Sequence, residues 1–389
     1  MAKTIVDKNQ ESTLLFSFPL EGKTVLWLRE INNYIIAEND AAEIIKKIVE
    51  GNSTPVLIEF CMKKFNLTTK VAKAMVLDFQ QVIDEKYKAA AISINKERPA
   101  IQQPTFSKIY SKKYYRINEI VFSAEYETEY AEFLHHPKFA HHEIEETTDC
   151  HHQVKVFDSG EWMSLVVDDK TIGLWERKDN HFLSGKFSME ILQLIHKKEE
   201  SNWLGVLHAA GVSDGKKCII FFGDSGSGKS TLSAILMANG FKVLADDFLP
   251  IEKGNVNICK FPSAISVKKE AFDLLMPVFP QLKHAEQYEN PVFNKTFRYL
   301  AQDDSELISV PAIALVFVKY KKDSGFNLEE FSKIETLTNL IPDSWINPSP
   351  ENAMSFIQWI SKLKCYRLTY SDNERLISFV NNELENQKN

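Results

Sequence analysis

A glycine-rich segment in the middle of the chain has the residues and spacing of a phosphate-binding loop. Residues 223–230, GDSGSGKS, match the pattern G-x-x-x-x-G-K-[ST] at every fixed position. Glycines let the backbone turn its N–H groups toward phosphate oxygens, and the N-terminus of a following helix adds partial positive charge. The lysine of such a loop reaches the terminal phosphates, and its last hydroxyl binds Mg²⁺. The sequence therefore predicts a site for the phosphates of a nucleotide.

The segments on either side of the loop support this interpretation. Residues 218–222, CIIFF, form the continuous apolar run that is typical of a buried parallel strand. Residues 231–239, TLSAILMAN, have apolar side chains at helical spacing. The alternative, a glycine-rich turn without a ligand, does not require these flanks. The predicted phosphate-binding residues are Gly223, Asp224, Ser225, Gly226, Ser227, Gly228, Lys229, Ser230 and Thr231, with Lys229 also catalytic and Ser230 also a metal ligand.

Two adjacent aspartates, Asp246 and Asp247, follow the next apolar run. The predicted helix of about ten residues leads roughly 15 Å away from the loop. The run 241–245, FKVLA, returns roughly 16 Å at about 3.3 Å per residue. A right-handed crossover would bring both aspartates to the sheet edge that holds the loop. One carboxylate there can hold Mg²⁺, and the other can accept a proton from an attacking hydroxyl. Alternatively, one of them only caps the following turn.

A histidine on the preceding apolar run completes this set. Residues 213–216, SDGK, predict a hairpin turn, and its expected register places His208 opposite Phe221. Antiparallel partners lie within about 5.5 Å of each other, so His208 is expected beside the phosphate loop. It could hydrogen-bond to Asp246 and tune its basicity, or donate to a phosphate. The alternative is a core histidine bonded to the backbone.

Other residues with suitable chemistry lie outside this region. Lys268, Lys295 and Arg298 follow the core and could neutralise phosphate charge, or they could be solvated surface side chains. Six of the ten histidines fall within residues 135–152, together with Cys150. Imidazole and thiolate are good zinc ligands, but these spacings fit no structural zinc pattern. The alternative for this cluster is a polar surface loop.

The remaining patterns predict how the chain is divided. Residues 1–90 contain alternating runs broken at Asn32-Asn33 and then three helical segments, which indicates a compact α+β module of winged-helix type. Residues 91–104 lose this periodicity and predict a linker. Residues 105–202 are rich in strands, and residues 203–389 mix strands with helices around the phosphate loop.

Composition and charge exclude several classes of protein. The net charge is −7, so no general attraction to nucleic acid is expected. The N-terminus has no apolar core of signal-peptide length, and no apolar run approaches the length of a membrane span. The five cysteines are scattered without a CxxC pair. We therefore expect a soluble, cytoplasmic protein with reduced thiols.

The segments LHAAGV, IIFFGDSGSGKSTL and GFKVLADD together resemble the HPr kinase/phosphorylase family and its HPr-kinase-like relatives. The likeness covers roughly residues 105–389 and is densest over residues 204–251. It implies an α/β fold, with a P-loop HPr-kinase-like core and a preceding β-rich subdomain. It also implies a kinase that uses ATP and Mg²⁺ to phosphorylate a hydroxyl, usually that of a serine. In that family pattern Asp246 would be the base, oriented by His208, and Asp247 a metal ligand.

This chain departs from the HPr kinase/phosphorylases at two places. Thr231 stands where those enzymes have Glu, and their EIRGLGII segment, which is linked to the reverse phosphorolysis reaction, has no counterpart here. The expectation is therefore a kinase of this type rather than an enzyme acting on HPr. The relatives form hexamers, so we also expect a homo-oligomer.

The first 87 residues resemble PqqD-like domains, which are small winged-helix modules that bind leader peptides. The likeness rests on NNYIIAENDAAEIIKKIVEGNS, and such a module can bind a peptide by adding a strand to the edge of its hairpin. The leading hypothesis is a kinase acting on a serine of a ribosomal precursor peptide or protein recruited by residues 1–90. The alternatives are a small-molecule kinase for an amino acid or sugar hydroxyl, and a non-catalytic nucleotide-sensing switch.

Overall fold

The computed structural model describes residues 15–94, 108–290, 295–302 and 306–385, and it has a mixed α/β architecture with several sheets. In chain order the strands are β1 (Leu15–Leu20), β2 (Lys23–Leu28), β3 (Asn33–Glu38), β4 (Ser111–Ile117), β5 (Ile120–Tyr126), β6 (Glu143–Ile144), β7 (His152–Asp158), β8 (Trp162–Val167), β9 (Lys170–Glu176), β10 (Trp203–Leu207), β11 (Ala210–Ser213), β12 (Cys218–Phe222), β13 (Lys242–Ala245), β14 (Leu249–Glu252), β15 (Asn257–Cys259), β16 (Ile265–Lys268), β17 (Gln287–Asn290), β18 (Lys295–Leu300), β19 (Ser309–Tyr320), β20 (Phe326–Glu330), β21 (Trp345–Ile346) and β22 (Lys364–Tyr370).

The helices follow the apolar periodicity of the sequence, and none in the described part of the chain is long and apolar enough to cross a membrane. The α-helices are α1 (Asn39–Val49), α2 (Thr54–Phe65), α3 (Thr69–Ile94), α4 (Glu129–His135), α5 (Asn180–His196), α6 (Lys229–Ala238), α7 (Phe272–Leu275), α8 (Lys333–Leu340), α9 (Pro350–Lys362) and α10 (Asn373–Glu385).

The chain forms two compact units, and the first joins the N-terminal region to two later segments. It comprises residues 1–97, 332–341 and 346–362. Its sheet is an antiparallel meander in the order β1–β2–β3. The helices α1, α2 and α3 enclose a core in which Ile44 and Leu57 are fully buried. The α+β character predicted for residues 1–90 agrees with these elements.

Two hydrogen-bonded contacts tie the later segments to this unit. Asn32 accepts a hydrogen bond from the Trp27 indole at 2.8 Å and donates one to the Ile346 carbonyl at 2.9 Å. The Glu21 carboxylate accepts the backbone N–H groups of Lys333 and Ile334 at the start of α8, which have no partner within the helix. Residues 332–341 and 346–362 therefore belong with the N-terminal region.

This grouping differs from the predicted boundaries. The sequence placed all of residues 203–389 in one domain, because its local patterns carry no signal for contacts made across about three hundred residues. The predicted linker 91–104 also begins too early, because helix α3 continues to Ile94. Residues 95–104 of that linker lie outside the described residues.

The second compact unit comprises residues 98–331, 342–345 and 363–389. It contains a six-stranded sheet in the order β6–β4–β5–β7–β8–β9, which matches the strand-rich prediction for residues 105–202. It also contains a small sheet in the order β16–β18–β17 and most of the largest sheet. Apolar side chains of the largest sheet, such as Phe221 and Val316, form one continuous buried cluster with those of α6, such as Leu232, and of α10.

The direction of the strands in the largest sheet determines where the functional residues meet. The strand β12 is parallel to β19, and β19 is parallel to β22. On its other side β12 pairs with the antiparallel strand β11, which in turn pairs with β13. The carboxyl ends of β13, β12, β19 and β22 therefore lie at one edge, together with the start of β11. As predicted, the aspartates reach the edge of the phosphate loop, although β11 lies between their strand and β12.

Asn32 offers a test of the contacts that complete the first unit. We expect Asn32→Ala to lower the free energy of unfolding by about 1–3 kcal/mol more than Asn66→Ala, because it leaves the buried Trp27 N–H without an acceptor. Asn32 and Asn66 both have left-handed backbones, with φ of 44° and 52°, so the strain of alanine is matched between the variants. Urea unfolding of the full chain measures both, and equal losses would contradict the role of the Asn32 side chain.

Candidate phosphate site

The glycine-rich loop passes from the end of β12 to the first turn of α6 and is held by the neighbouring strand β19. The backbone N–H of Tyr320 donates to the Ser227 carbonyl at 2.8 Å. Gly223 has φ of 152°, and a Cβ built on it would lie 2.7 Å from the Val318 carbonyl oxygen. Gly228 has φ of 97° and caps the start of α6. These two positions require glycine for steric reasons, which supports the motif at its fixed positions.

Lys229 lies inside this loop. Its ammonium donates to the Gly223 carbonyl at 2.7 Å and to the Asp224 carbonyl at 3.4 Å, and the residue is buried. Burial lowers the pKa of Lys229, while the charges of Asp247 and Asp246 act in the opposite direction. A buried ammonium held by carbonyl oxygens can move to phosphate oxygens at little additional desolvation cost. The predicted contact of Lys229 with the terminal phosphates stays a prediction, and its position inside the loop is compatible with it.

Asp246 directly follows β13 and is almost completely buried, with 2% of its surface exposed. Its Oδ2 accepts a hydrogen bond from the Ser266 N–H at 3.4 Å, and its Oδ1 has no hydrogen-bond partner. Burial, followed by the charge of Asp247, raises the pKa of Asp246 to about 8, and the Ser230 hydroxyl opposes that rise. A buried carboxylate oxygen without a donor, close to a serine hydroxyl, is a suitable set of ligands for Mg²⁺.

His208 is near Asp247, which differs from the prediction. Phe221 pairs with Ala210, so the predicted register of His208 is wrong by two residues. The reason is that Asp214 Oδ1 accepts the N–H groups of Lys216 and Lys217, at 2.8 and 2.9 Å, and so shifts the centre of the turn. His208 instead lies in the short connection between β10 and β11.

The side chains of His208 and Asp247 are both accessible to solvent. The Nε2 atom of His208 is 3.8 Å from Oδ1 of Asp247. The side chains are 41% and 52% exposed, respectively. The predicted hydrogen bond from His208 to Asp246 is not present, and the histidine faces the second aspartate of the pair. Both residues nevertheless lie at the edge that holds the phosphate loop, as the sequence predicted.

Of the three basic residues proposed as phosphate contacts, Lys268 interacts electrostatically with Lys229 of the loop. Ser266 and Lys268 alternate on β16 with the buried Ile265 and Val267, so their side chains share the less buried face of the strand. The backbone N–H of Ser266 bonds to Asp246. The charge of Lys268 contributes to the lowered pKa of Lys229.

The other two basic residues lie elsewhere on the small sheet. Arg298 pairs with Val267 on the core side. Its guanidinium lies 4.9 Å from the Phe272 ring centre and donates to the Leu282 carbonyl, while its buried Nε has no hydrogen-bond partner among the described residues. The predicted contact of Arg298 with phosphate stays a prediction. Lys295 is exposed at the start of β18, and its predicted contact with phosphate stays a prediction.

Three residues near the site were not found from the sequence. Burial and then the charges of Asp247 and Asp246 raise the pKa of Tyr299, which pairs with Ser266 across β16 and β18. The charge of Asp343 acts on Lys229, and that of Asp247 acts on Lys138. None of these residues belongs to a motif, because they come from separate segments brought together only by the fold.

The six histidines between residues 135 and 152 are dispersed rather than clustered. His135 is buried and bonded to the Ala131 carbonyl at 2.8 Å, and burial lowers its pKa to about 3. His142 bonds to the Pro262 carbonyl at 2.9 Å, whereas His152 pairs with Asp168 at 2.7 Å. Within the described ranges, no group of three or more His, Cys, Asp or Glu side chains could hold a metal ion. Part of the segment is core, so it is not simply a polar surface loop.

The steric role of Gly223 can be tested against Gly226. Both have positive φ, 152° and 87°, but a Cβ at Gly226 would have no heavy atom within 4 Å. We expect Gly223→Ala to cost about 1–3 kcal/mol more in the free energy of unfolding than Gly226→Ala, because it must also displace the backbone of β19. Thermal unfolding with and without ADP measures the difference, and an equal effect of the two substitutions would argue against the steric constraint.

The raised pKa of Asp246 predicts a pH dependence of stability. The folded state keeps the proton of the Asp246 carboxyl up to about pH 8. An unfolded aspartate, with its ordinary pKa of 3.8, has already lost its proton at that pH. The free energy of unfolding therefore falls as pH rises between these values, by at most about 1.4 kcal/mol per unit. We expect Asp246→Asn to reduce this slope in urea titrations without nucleotide or metal. Parallel curves for the variant and the parent would contradict the prediction.

No protein-family model and no curated protein matches the sequence. The functional interpretation therefore rests on the residues and their geometry.

Proposed function

We propose that this protein is an ATP- and Mg²⁺-dependent kinase that transfers the γ-phosphate to a hydroxyl group. The observation that carries the proposal is the meeting of three elements at one sheet edge. These are the glycine loop with Lys229, the buried Asp246 beside Ser230, and the exposed Asp247 beside His208. A phosphate site alone would serve any nucleotide-binding protein, whereas an adjacent accessible carboxylate adds a group that can accept a proton.

The geometry favours exchanging the roles that the family pattern gives to the two aspartates. Asp246 is buried and bonded to the Ser266 N–H, so an acceptor hydroxyl has little access to it. Together with Ser230 it would hold Mg²⁺, whose charge, when bound, offsets that of the phosphates. Asp247 is half-exposed and lies 3.8 Å from His208. We therefore assign Asp247 as the base and His208 as the residue that positions it.

The proposed reaction is a direct displacement at the γ-phosphorus. The acceptor oxygen forms the new P–O bond while its proton passes to Asp247, and the bond to the β-phosphate oxygen breaks to leave ADP. Lys229 and the N–H groups of the loop stabilise the charge on the phosphate oxygens. His208 would hold the carboxylate of Asp247 in position before transfer.

The acceptor that we favour is a serine of a peptide or protein recruited by the first compact unit. Its antiparallel sheet β1–β2–β3 and three following helices are compatible with a PqqD-like winged-helix module. The edge of such a sheet can bind an extended peptide through main-chain hydrogen bonds. The second unit is correspondingly proposed to be an HPr-kinase-like core with its β-rich subdomain.

The assignment of the base can be tested with a pair of variants. We expect Asp247→Asn to lower the rate of phosphate transfer by about 10²–10⁴-fold while leaving ADP affinity nearly unchanged. Asp246→Asn should instead weaken the dependence of ADP binding on Mg²⁺. The control is Asp169→Asn, whose side chain is 78% exposed in the turn between β8 and β9. Transfer at the normal rate by Asp247→Asn would remove the assigned base.

The class of acceptor is best tested with the full chain. Deletion of residues 1–97 would also remove the partners of residues 332–362, so loss of activity would have two explanations. The full chain is therefore incubated with ATP, Mg²⁺ and either candidate precursor peptides or free amino acids and sugars. Mass spectrometry should find phosphoserine on a peptide. Phosphorylation of only a free metabolite would contradict the peptide assignment, and nucleotide binding without any product would contradict a kinase.

A further inference from the structure

A short segment of the β-rich subdomain contacts the residues that support Asp246. Residues 136–142 form two 3₁₀ turns after α4 and lie against residues 261–264. The Ala264 N–H donates to the Lys138 carbonyl at 2.8 Å. The Phe139 and Phe261 rings meet edge to face, with their centres 5.8 Å apart. The backbone of Lys138 is therefore fixed by both a hydrogen bond and an aromatic contact.

The segment 261–264 is itself tied to the aspartate strand. The Phe261 N–H donates to the Leu244 carbonyl of β13 at 2.8 Å, two residues before Asp246. At the other end of the segment, the Ser266 N–H reaches the carboxylate of Asp246 at 3.4 Å. This succession of contacts connects Lys138 to the edge where the phosphate loop and the aspartates meet.

The Lys138 ammonium is a cation without a close partner. It makes no ion pair or hydrogen bond with any residue that the structure describes, although the residue is only partly exposed. Burial lowers the pKa of Lys138, and the charge of Asp247 opposes this effect. By contrast, Lys229 already donates to two loop carbonyls. A partly buried ammonium without a partner is costly unless an anion binds beside it.

We propose that Lys138 binds the phosphoryl group as it passes from ATP to the acceptor. This inference rests on the proposed function. Asp247, as the base, must lie next to the acceptor oxygen, and that oxygen must lie next to the γ-phosphorus in the transition state. Lys138, whose backbone is bonded to the segment that supports Asp246 and whose side chain interacts with the charge of Asp247, would therefore be placed for the phosphoryl oxygens. Lys138 would act together with Lys229 and Lys268, and the β-rich subdomain would contribute directly to the site.

The test uses a mimic of the transferring phosphoryl group, so the acceptor need not be known. The affinity of the full chain for ADP and Mg²⁺ is measured with and without aluminium fluoride, which forms a planar anion at the γ position. We expect Lys138→Met to bind ADP and Mg²⁺ like the parent but to lose about tenfold or more of the tightening caused by fluoroaluminate. Lys138→Arg should retain most of it.

Two controls separate the possible explanations. Lys155→Met removes a lysine that is 22% exposed and paired with Asp169, and it should leave the tightening unchanged. In an Asp247→Asn background, Lys138→Met should still reduce the tightening. If it has no effect there, Lys138 acts only through Asp247 and the inference is overturned.

The outcomes also distinguish this inference from the proposed function. A parent protein that does not bind ADP and Mg²⁺ would contradict both proposals. A parent that shows the tightening, together with a Lys138→Met variant that shows the same tightening, would overturn only the role of Lys138. Thermal unfolding of each variant verifies that the substitution has not disrupted the 3₁₀ segment.

Discussion

The close approach of β19 to the glycine loop is the constraint on which the rest of the site depends. The Val318 carbonyl occupies the space that a side chain at position 223 would need, and the Tyr320 N–H holds Ser227. Because β19 is parallel to β12, these contacts fix the loop at the end of its strand. The start of α6, and with it Lys229, follows from the same arrangement. A glycine motif without this neighbouring strand would have no fixed shape for phosphate.

The burial of Asp246 is the second determinant, and it makes the charged form of this carboxylate energetically unfavourable. A carboxylate with one oxygen free of donors favours its protonated form, as the direction of its pKa shows. Burial also favours the neutral form of Lys229, and it therefore lowers the pKa of that residue. In the proposed function, a bound metal ion would favour the charged form of Asp246, and bound phosphates would favour that of Lys229.

Sequence reasoning succeeded where local patterns determine the geometry. The loop, its flanking strand and helix, and the arrival of the aspartates at the same edge all follow from motif and segment length. It failed for the register of His208, because the side chain of Asp214 moved the centre of the turn by one residue. Each strand pairing therefore changed by two residues. It also did not show that the side chain of Arg298 lies against Phe272, because no motif reveals which face of a strand a residue occupies. Lys138 and Tyr299 could not be found, since they reach the site only through pairing between distant segments.

The composition of the first compact unit has a consequence for how the protein is made. Its sheet is synthesised first, yet two of its helices, α8 and α9, lie in residues 332–362. Domains usually fold in the order in which they leave the ribosome. Here the hydrogen bonds of Asn32 and Glu21 to residues 333–346 can form only after more than three hundred further residues have been synthesised. During synthesis this unit therefore remains incomplete while most of the second compact unit is already available to fold.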